Sequence, residues 1–183
     1  SWDKIDADPD RADVEQVMRF RMTMSPSPQT EGGVRPTMMA RASGDQATRD
    51  VYGCDHRNIN AGGPSEEFRI HRRVSGSSST LANTSQELFL DTWYWFRFRV
   101  NGTSLQFKFW EDGGTEPGSW TLSITDASVT GPGWVGLSQP SRSSAFEVDI
   151  YGVGTGGDPA PSEPISDGGI ILPPPLLQMS MTG

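Results

Sequence analysis

The sequence predicts an all-β domain, an antiparallel sandwich of two sheets, and three observations predict it. The chain holds 21 Gly and 14 Pro against only 34% hydrophobic residues, which suits short strands joined by many turns. Apolar residues recur at every second position in one segment after another, the period of a strand with one buried face. No stretch reads as a helix of about ten residues or more.

The elements follow in order. Residues 1–13 carry five aspartates against Lys4 and Arg11 without a periodic apolar pattern, and are expected to form an N-terminal arm. From Val14 the chain alternates: Met18, Phe20, Met22 and Met24 point one way, Arg19, Arg21 and Thr23 the other. Pro26, Pro28, Gly32 and Gly33 mark the turn that follows. Further strands are predicted over 34–42, 46–52, 66–74 and 78–82, each bounded by Gly, Ser, Asn or Pro.

The clearest signal is a hairpin of 92–101 and 104–112 joined at Asn101-Gly102, a dipeptide suited to positive φ. Tyr94, Phe96, Phe98 and Val100 share one face of its first arm; Leu105, Phe107 and Phe109 share one face of its second. This hairpin is expected at the centre of the core. Segments 119–125, 133–139 and 145–153 complete about ten short strands, at the spacing of a sandwich or barrel.

Past Val153 the composition changes. Residues 154–183 hold six of the 14 prolines, six glycines, three acids and no base, which reads as an extended tail rather than a second domain. The expected organisation is therefore an arm (1–13), a sandwich domain (14–153) and a tail (154–183). Within the tail, Ile170, Ile171, Leu172, Leu176 and Leu177 flank three prolines, a pattern suited to an extended or polyproline II strip that docks on a neighbouring subunit. The alternative is that the tail folds back on its own domain.

Several classes are disfavoured. A net charge of −8 argues against nucleic acid, whose phosphates demand clustered cations. No run approaches the ~20 apolar residues of a membrane helix, so membrane insertion is not expected. The chain opens at Ser1 without a methionine or a signal-peptide pattern, as expected of a mature or trimmed product. The single cysteine, Cys54, forms no internal disulfide and reads as a loop or buried thiol rather than a reactive one.

The block Trp93-Tyr94-Trp95-Phe96-Arg97-Phe98-Arg99-Val100-Asn101-Gly102, followed by Lys108-Phe109-Trp110-Glu111-Asp112-Gly113, then Glu116-Pro117 and Trp120, resembles the laminin G-like and glucanase-related branch of the concanavalin A-like jelly rolls. Gly133-Trp134-Val135-Gly136-Leu137 and residues 146–151 match the ending of that family. The resemblance is good over 93–153 and extends back to Asp13. It implies a two-sheet jelly roll with one concave sheet, in which carbohydrate binding is common and calcium frequent. Its members include lectins, glycanases, adhesion modules and virion surface proteins, so fold does not fix function.

Catalysis is not expected. Glycanases of that family carry E-x-D-x-x-E or E-x-D-x-E on one strand, and retaining hydrolysis needs two carboxyls about 5 Å apart. Glu147-Val148-Asp149 comes nearest, its carboxylates alternating with apolar Phe146, Val148 and Ile150. His56 and His71 lack a nucleophile-elbow sequence and read as strand or surface residues. Asp3, Asp6, Asp8 and Asp10, and the cluster Glu111, Asp112 and Glu116, have calcium-ligand chemistry but match no EF-hand loop. The expectation is no cofactor and no metal, with calcium as the alternative.

The informative feature is the placement of charge. The strands 14–24, 34–42, 46–52, 66–74, 93–101, 105–111 and 145–153 hold 11 bases and seven acids, leaving 15 − 11 = 4 bases and 23 − 7 = 16 acids elsewhere. With the aromatic faces of the hairpin turned inward, the opposite face carries Trp93, Trp95, Arg97 and Arg99 beside Gln106, Lys108 and Trp110. By the same alternation Arg69, His71 and Arg73 could join them. Tryptophan beside arginine suits stacking on sugars and hydrogen bonding to hydroxyls; it equally suits a protein interface. The bland alternative is that these arginines pair with Glu66, Glu67 and Glu111 and that the tryptophans are core.

Three function classes follow: a decoration protein of a multi-subunit assembly, most plausibly a virion surface; a glycan-binding module of a secreted or cell-surface protein; and a degenerate glycanase. The acid-only, apolar-ended tail selects the first, whose partners are neighbouring subunits and whose location is a virion surface or extracellular. The glycan-binding module is the alternative, with Trp93, Trp95, Arg97, Arg99, Lys108 and Trp110 as the binding face in either case.

Overall fold

The computed structural model of the chain describes residues 2–4, 11–24, 34–45, 48–58, 66–138, 145–162 and 177–178. Its strands are β1 (Trp2–Lys4), β2 (Val14–Met24), β3 (Val34–Ser43), β4 (Asp50–Asn58), β5 (Glu66–Val74), β6 (Ser77–Ser85), β7 (Trp93–Asn101), β8 (Ser104–Glu111), β9 (Leu122–Thr125), β10 (Trp134–Ser138), β11 (Ala145–Thr155) and β12 (Leu177–Gln178). They build two antiparallel sheets, the first ordered β1-β10-β3-β4-β5-β6 and the second β12-β11-β2-β7-β8-β9. The chain crosses between sheets after β1, β2, β6, β9 and β10, and the expected two-sheet sandwich is the observed fold.

Period-two alternation fills the space between the sheets. Met18, Phe20, Met22, Phe96, Phe98 and Phe107 of the second sheet meet Met38, Tyr52, Cys54, Phe68 and Ile70 of the first, all fully buried. Phe68 is the hub, with ring centroids 5.0 Å from Phe96 and 4.1 Å from Phe109, while Phe20 lies 4.3 Å from Phe96. Edge-to-face and tilted packing of this kind adds roughly 0.5–1.5 kcal/mol per pair beyond area burial.

Four expectations are corrected. The strand expected over 46–52 runs instead from Asp50 to Asn58. Gly53 sits inside it because a Cβ there would lie 2.6 Å from Cε1 of His71, so the glycine is a seat for an imidazole and not a turn. The hairpin turns one residue later than expected: Asn101 pairs with Ser104, and Gly102 and Thr103 are its central pair. Gly102 has φ 53°, the positive value that a II′ turn requires at its first central position.

The strand expected over 119–125 begins only at Leu122, which leaves Trp120 in the preceding loop. In β11 the register shifts between Val148 and Ile150, a bulge that flips the side chains beyond it. Tyr151 and Val153 consequently pack on the core, and Ile150, expected among the inward residues, lies opposite outward-facing Arg19.

β11 also extends to Thr155, and the chain then doubles back over its own strand. A Cβ on Gly152 would run into the Pro161 carbonyl, and one on Gly154 into the Asp158 carbonyl. Two glycines two residues apart thus leave a flat strip on which residues 158–161 lie, with Ala160 buried.

Candidate functional site

The outer face of the second sheet carries the six residues singled out from the sequence. Trp95 stands opposite Trp110 and Arg97 opposite Lys108 across β7 and β8, with Arg99 one step further along. On the other side of β7, β2 sets Arg19 beside Trp95 and Arg21 beside Trp93. Arg69, His71 and Arg73 do not join them: β5 belongs to the first sheet, and alternation within a strand cannot say which sheet the strand enters.

Two covering segments divide this face. At one end, Arg97 binds Glu15 and Glu116, its Nε lying 2.8 Å from Glu116 Oε1 and its Nη1 donating to the Ala160 carbonyl at 3.1 Å. Arg99 also binds Glu15, whose Oε1 accepts from the Ala160 N–H at 3.2 Å. Lys108 Nζ reaches Glu116 Oε1 at 2.7 Å and the Pro117 carbonyl at 2.9 Å. The Trp120 ring lies 5.0 Å from the Arg99 guanidinium and 4.9 Å from Lys108 Nζ. This half is strapped over by the 112–120 loop and by residues 158–161, and Arg97 is only 7% exposed.

The arginines do pair with carboxylates, but not with those expected. Glu66 lies against His56 at 3.2 Å and Glu67 against Arg57 at 2.6 Å, both in the first sheet.

The other half is open. Trp95 and Trp110 lie nearly parallel, centroids 5.9 Å apart and planes 5° apart, and both are half-buried rather than core. Arg19 and Arg21 stand over the Trp93 ring at 4.4 and 5.0 Å. Asp112 takes a two-pronged contact from Arg19 and a 2.7 Å hydrogen bond from Trp95 Nε1. Arg19 also binds Asp149, and Arg21 Nε donates to Glu147 at 2.7 Å. From Trp93 to Trp95 is about 7 Å along the strand, and from β2 to β8 about 10 Å across the sheet.

The hydrogen bond from Arg19 holds the Asp112 carboxyl below the usual carboxylate range, partial burial opposing it and the Trp95 N–H assisting. Arg19, Arg21, Asp112, Glu147 and Asp149 are not among the residues expected on the Trp and Arg face, although Asp112 is expected as a candidate calcium ligand and Glu147 and Asp149 as the nearest carboxylate pair. The outward phase of Arg19 and Arg21 is visible in β2; their neighbourhood depends on β2 lying between β11 and β7, which period two does not reveal.

A second polar cluster lies on the first sheet, on the side facing away from the core. Asp55, 1% exposed, is held by Arg69 through Nε at 2.6 Å and Nη2 at 2.8 Å, with His71 Nδ1 3.5 Å away. Burial alone would raise Asp55, but His71 and Arg69 override it and keep it below the usual range. Burial lowers His71 further than Asp55 raises it, so the imidazole is neutral over more of the acid range than a free one. Cys54 is buried in β4 with its thiol pushed well up by burial.

Among the described residues no three His, Cys, Asp or Glu side chains converge as a metal site. Asp112 and Glu116, two of the acids with calcium-ligand chemistry, are bound by Arg19 and by Arg97 and Lys108. Asp6, Asp8 and Asp10 lie outside the described residues, as do Ile170, Ile171, Leu172 and Leu176 of the tail strip. Leu177 pairs through its backbone with Val148 of the chain's own β11. Among the described residues no helix is long and apolar enough to cross a membrane.

No protein-family model matches the chain, and no curated protein matches it. Similarity to solved structures places it among two-sheet β-sandwiches. The carbohydrate-binding module CBM66 from Bacillus subtilis superposes with a TM-score of 0.56 at 8% identity, covering 79% of this chain and 76% of that one. Scytalido-glutamic peptidase superposes with a TM-score of 0.50 at 9% identity, covering 84% of this chain and 80% of the other. Identities this low establish a shared fold, and that fold hosts both a binding module and an enzyme.

Proposed function

We propose that this chain is a non-catalytic carbohydrate-binding module, extracellular or surface-displayed, whose ligand lies on the open half of the second sheet. The observation that carries the reading is the parallel, half-buried Trp95–Trp110 pair set in a ring of fixed hydrogen-bonding groups. A sugar ring needs an aromatic surface for its C–H face and rigid donors and acceptors for its hydroxyls. Trp95 and Trp110 supply the first; Arg19, Arg21, Asp112, Glu147 and Asp149 supply the second. A fold shared with a carbohydrate-binding module supports the same reading.

The pairing of the carboxylates supports binding rather than hydrolysis. A glycosidase acid must be held protonated by an apolar setting or by a like charge. Here Asp112, Asp149 and Glu147 are each bound to an arginine, and Asp112 is pushed toward ionisation. The test is native affinity electrophoresis of the full chain through gels containing soluble polysaccharides. Retardation that disappears in Trp95→Ala and Trp110→Ala is expected; equal mobility with and without every polysaccharide would reject the reading.

A further inference from the structure

We infer that the open platform selects a neutral glycan rather than an acidic one, an inference that rests on the carbohydrate reading above. The argument is charge compensation. On the open half two cations, Arg19 and Arg21, face three carboxylates, Asp112, Glu147 and Asp149, so this half carries 2 − 3 = −1. Beneath the covering segments three cations meet two carboxylates, Glu15 and Glu116, so that half carries 3 − 2 = +1. The cationic surplus lies mostly under cover, Arg97 being 7% exposed and the Lys108 side chain 12%, with the half-exposed Arg99 held by Glu15, while the anionic surplus lies on the open half.

A uronate or sulfated sugar placed on Trp95 and Trp110 would bring its charge beside Asp149, whose side chain is 37% exposed, and beside Glu147. It would also have to displace Asp112 from a bidentate guanidinium already oriented to hold it. The chain's overall charge of −8 adds repulsion at long range. A neutral ring meets none of these costs. Arginine has five N–H donors, and Arg19 spends three of them on Asp112 and Asp149. The others, and the outer lone pairs of the carboxylates, suit hydroxyls that both donate and accept.

The experiment compares the full chain in affinity gels and by calorimetry with three probes: a soluble neutral xylan, a soluble neutral β-glucan, and polygalacturonate. A neutral polymer should bind with affinity changing less than about two-fold between about 0.05 and 0.5 M NaCl, because no ion pair forms with the ligand. Trp110→Ala should weaken it about ten-fold or more, Trp110→Phe by less, and Trp134→Phe on the other sheet not at all, with thermal melts confirming that each variant is folded. Retention of polygalacturonate, released by salt, would overturn the neutral selectivity while leaving the carbohydrate reading intact. Failure of all three probes at millimolar sugar would overturn both.

Discussion

Arg19 of β2 and Asp112, which follows β8, form a fork-to-fork ion pair, Nε to Oδ1 at 3.1 Å and Nη2 to Oδ2 at 2.7 Å, across 93 positions of sequence. The pair does two things at once. It fixes the start of the 112–120 loop, and it sets the guanidinium 4.4 Å over the Trp93 ring. Asp112→Asn removes the charge but keeps the shape, and should cost only about 1 kcal/mol of stability because both groups are partly exposed. Glycan affinity should fall more than stability does, since Arg19 and Trp95 lose their shared anchor. A calorimetric titration beside a urea melt separates the two effects.

His71 should make the domain sensitive to mild acid. Its folded pKa lies below the unfolded value of about 6.5, because burial disfavours the charged ring. The unfolded chain therefore binds the proton first, and stability, complete above about pH 6.5, is lost as pH falls through the folded value. Asp55, also lowered, extends the loss to lower pH. His71→Gln should flatten the slope of stability against pH below about 6.5 in urea melts, and should shrink the more acidic limb as well, because His71 is the first of the charges that hold Asp55 down.

Phe68 joins the two sheets through Phe96, Phe107 and Phe109. Phe68→Ala should cost about 3–5 kcal/mol, the range for a buried phenyl whose cavity cannot collapse. The outer-face substitution Trp110→Ala should cost clearly less, and denaturant midpoints would show the order.

Gly154→Val would put side-chain atoms where Asp158 and Pro159 now pass. The strap should lift while the sandwich stays folded, at a cost of about 1–3 kcal/mol. Limited proteolysis followed by mass analysis should then cut between Thr155 and Pro161 faster than in the parent chain.

Much of this was legible in the sequence, for reasons that name its limits. The inward sets Met18, Phe20 and Met22 and Tyr94, Phe96 and Phe98 were readable because a buried face imposes period two on one strand. The pattern predicts only 78–82 of β6, which runs from Ser77 to Ser85, because it is a sheet edge whose serines and threonines face solvent and need no alternation. The Trp and Arg face was readable on β7 and β8, joined by a tight turn, but its contribution from β2 was not, since register between distant strands leaves no local trace. Nor did period two show that Glu15 would lie under Arg97 and Arg99, because covering an outer face is the work of the strap and the loop. The assembly role expected of the tail gains nothing from its described residues: 158–161 and 177–178 lie on the chain's own domain.

The strap also sets the order in which the domain can be finished. Glu15 receives the Ala160 N–H from 145 positions away, and β2, near the start of the chain, sits between β7 and β11. During synthesis the early strand can pair with β7 first, but its carboxylate and its second edge stay uncovered until almost the last described residues are made. Nascent chains stalled before residue 145 would lack the partner for one whole edge of β2. Closing that edge is a long-range step, and pairings between segments so far apart in sequence form slowly.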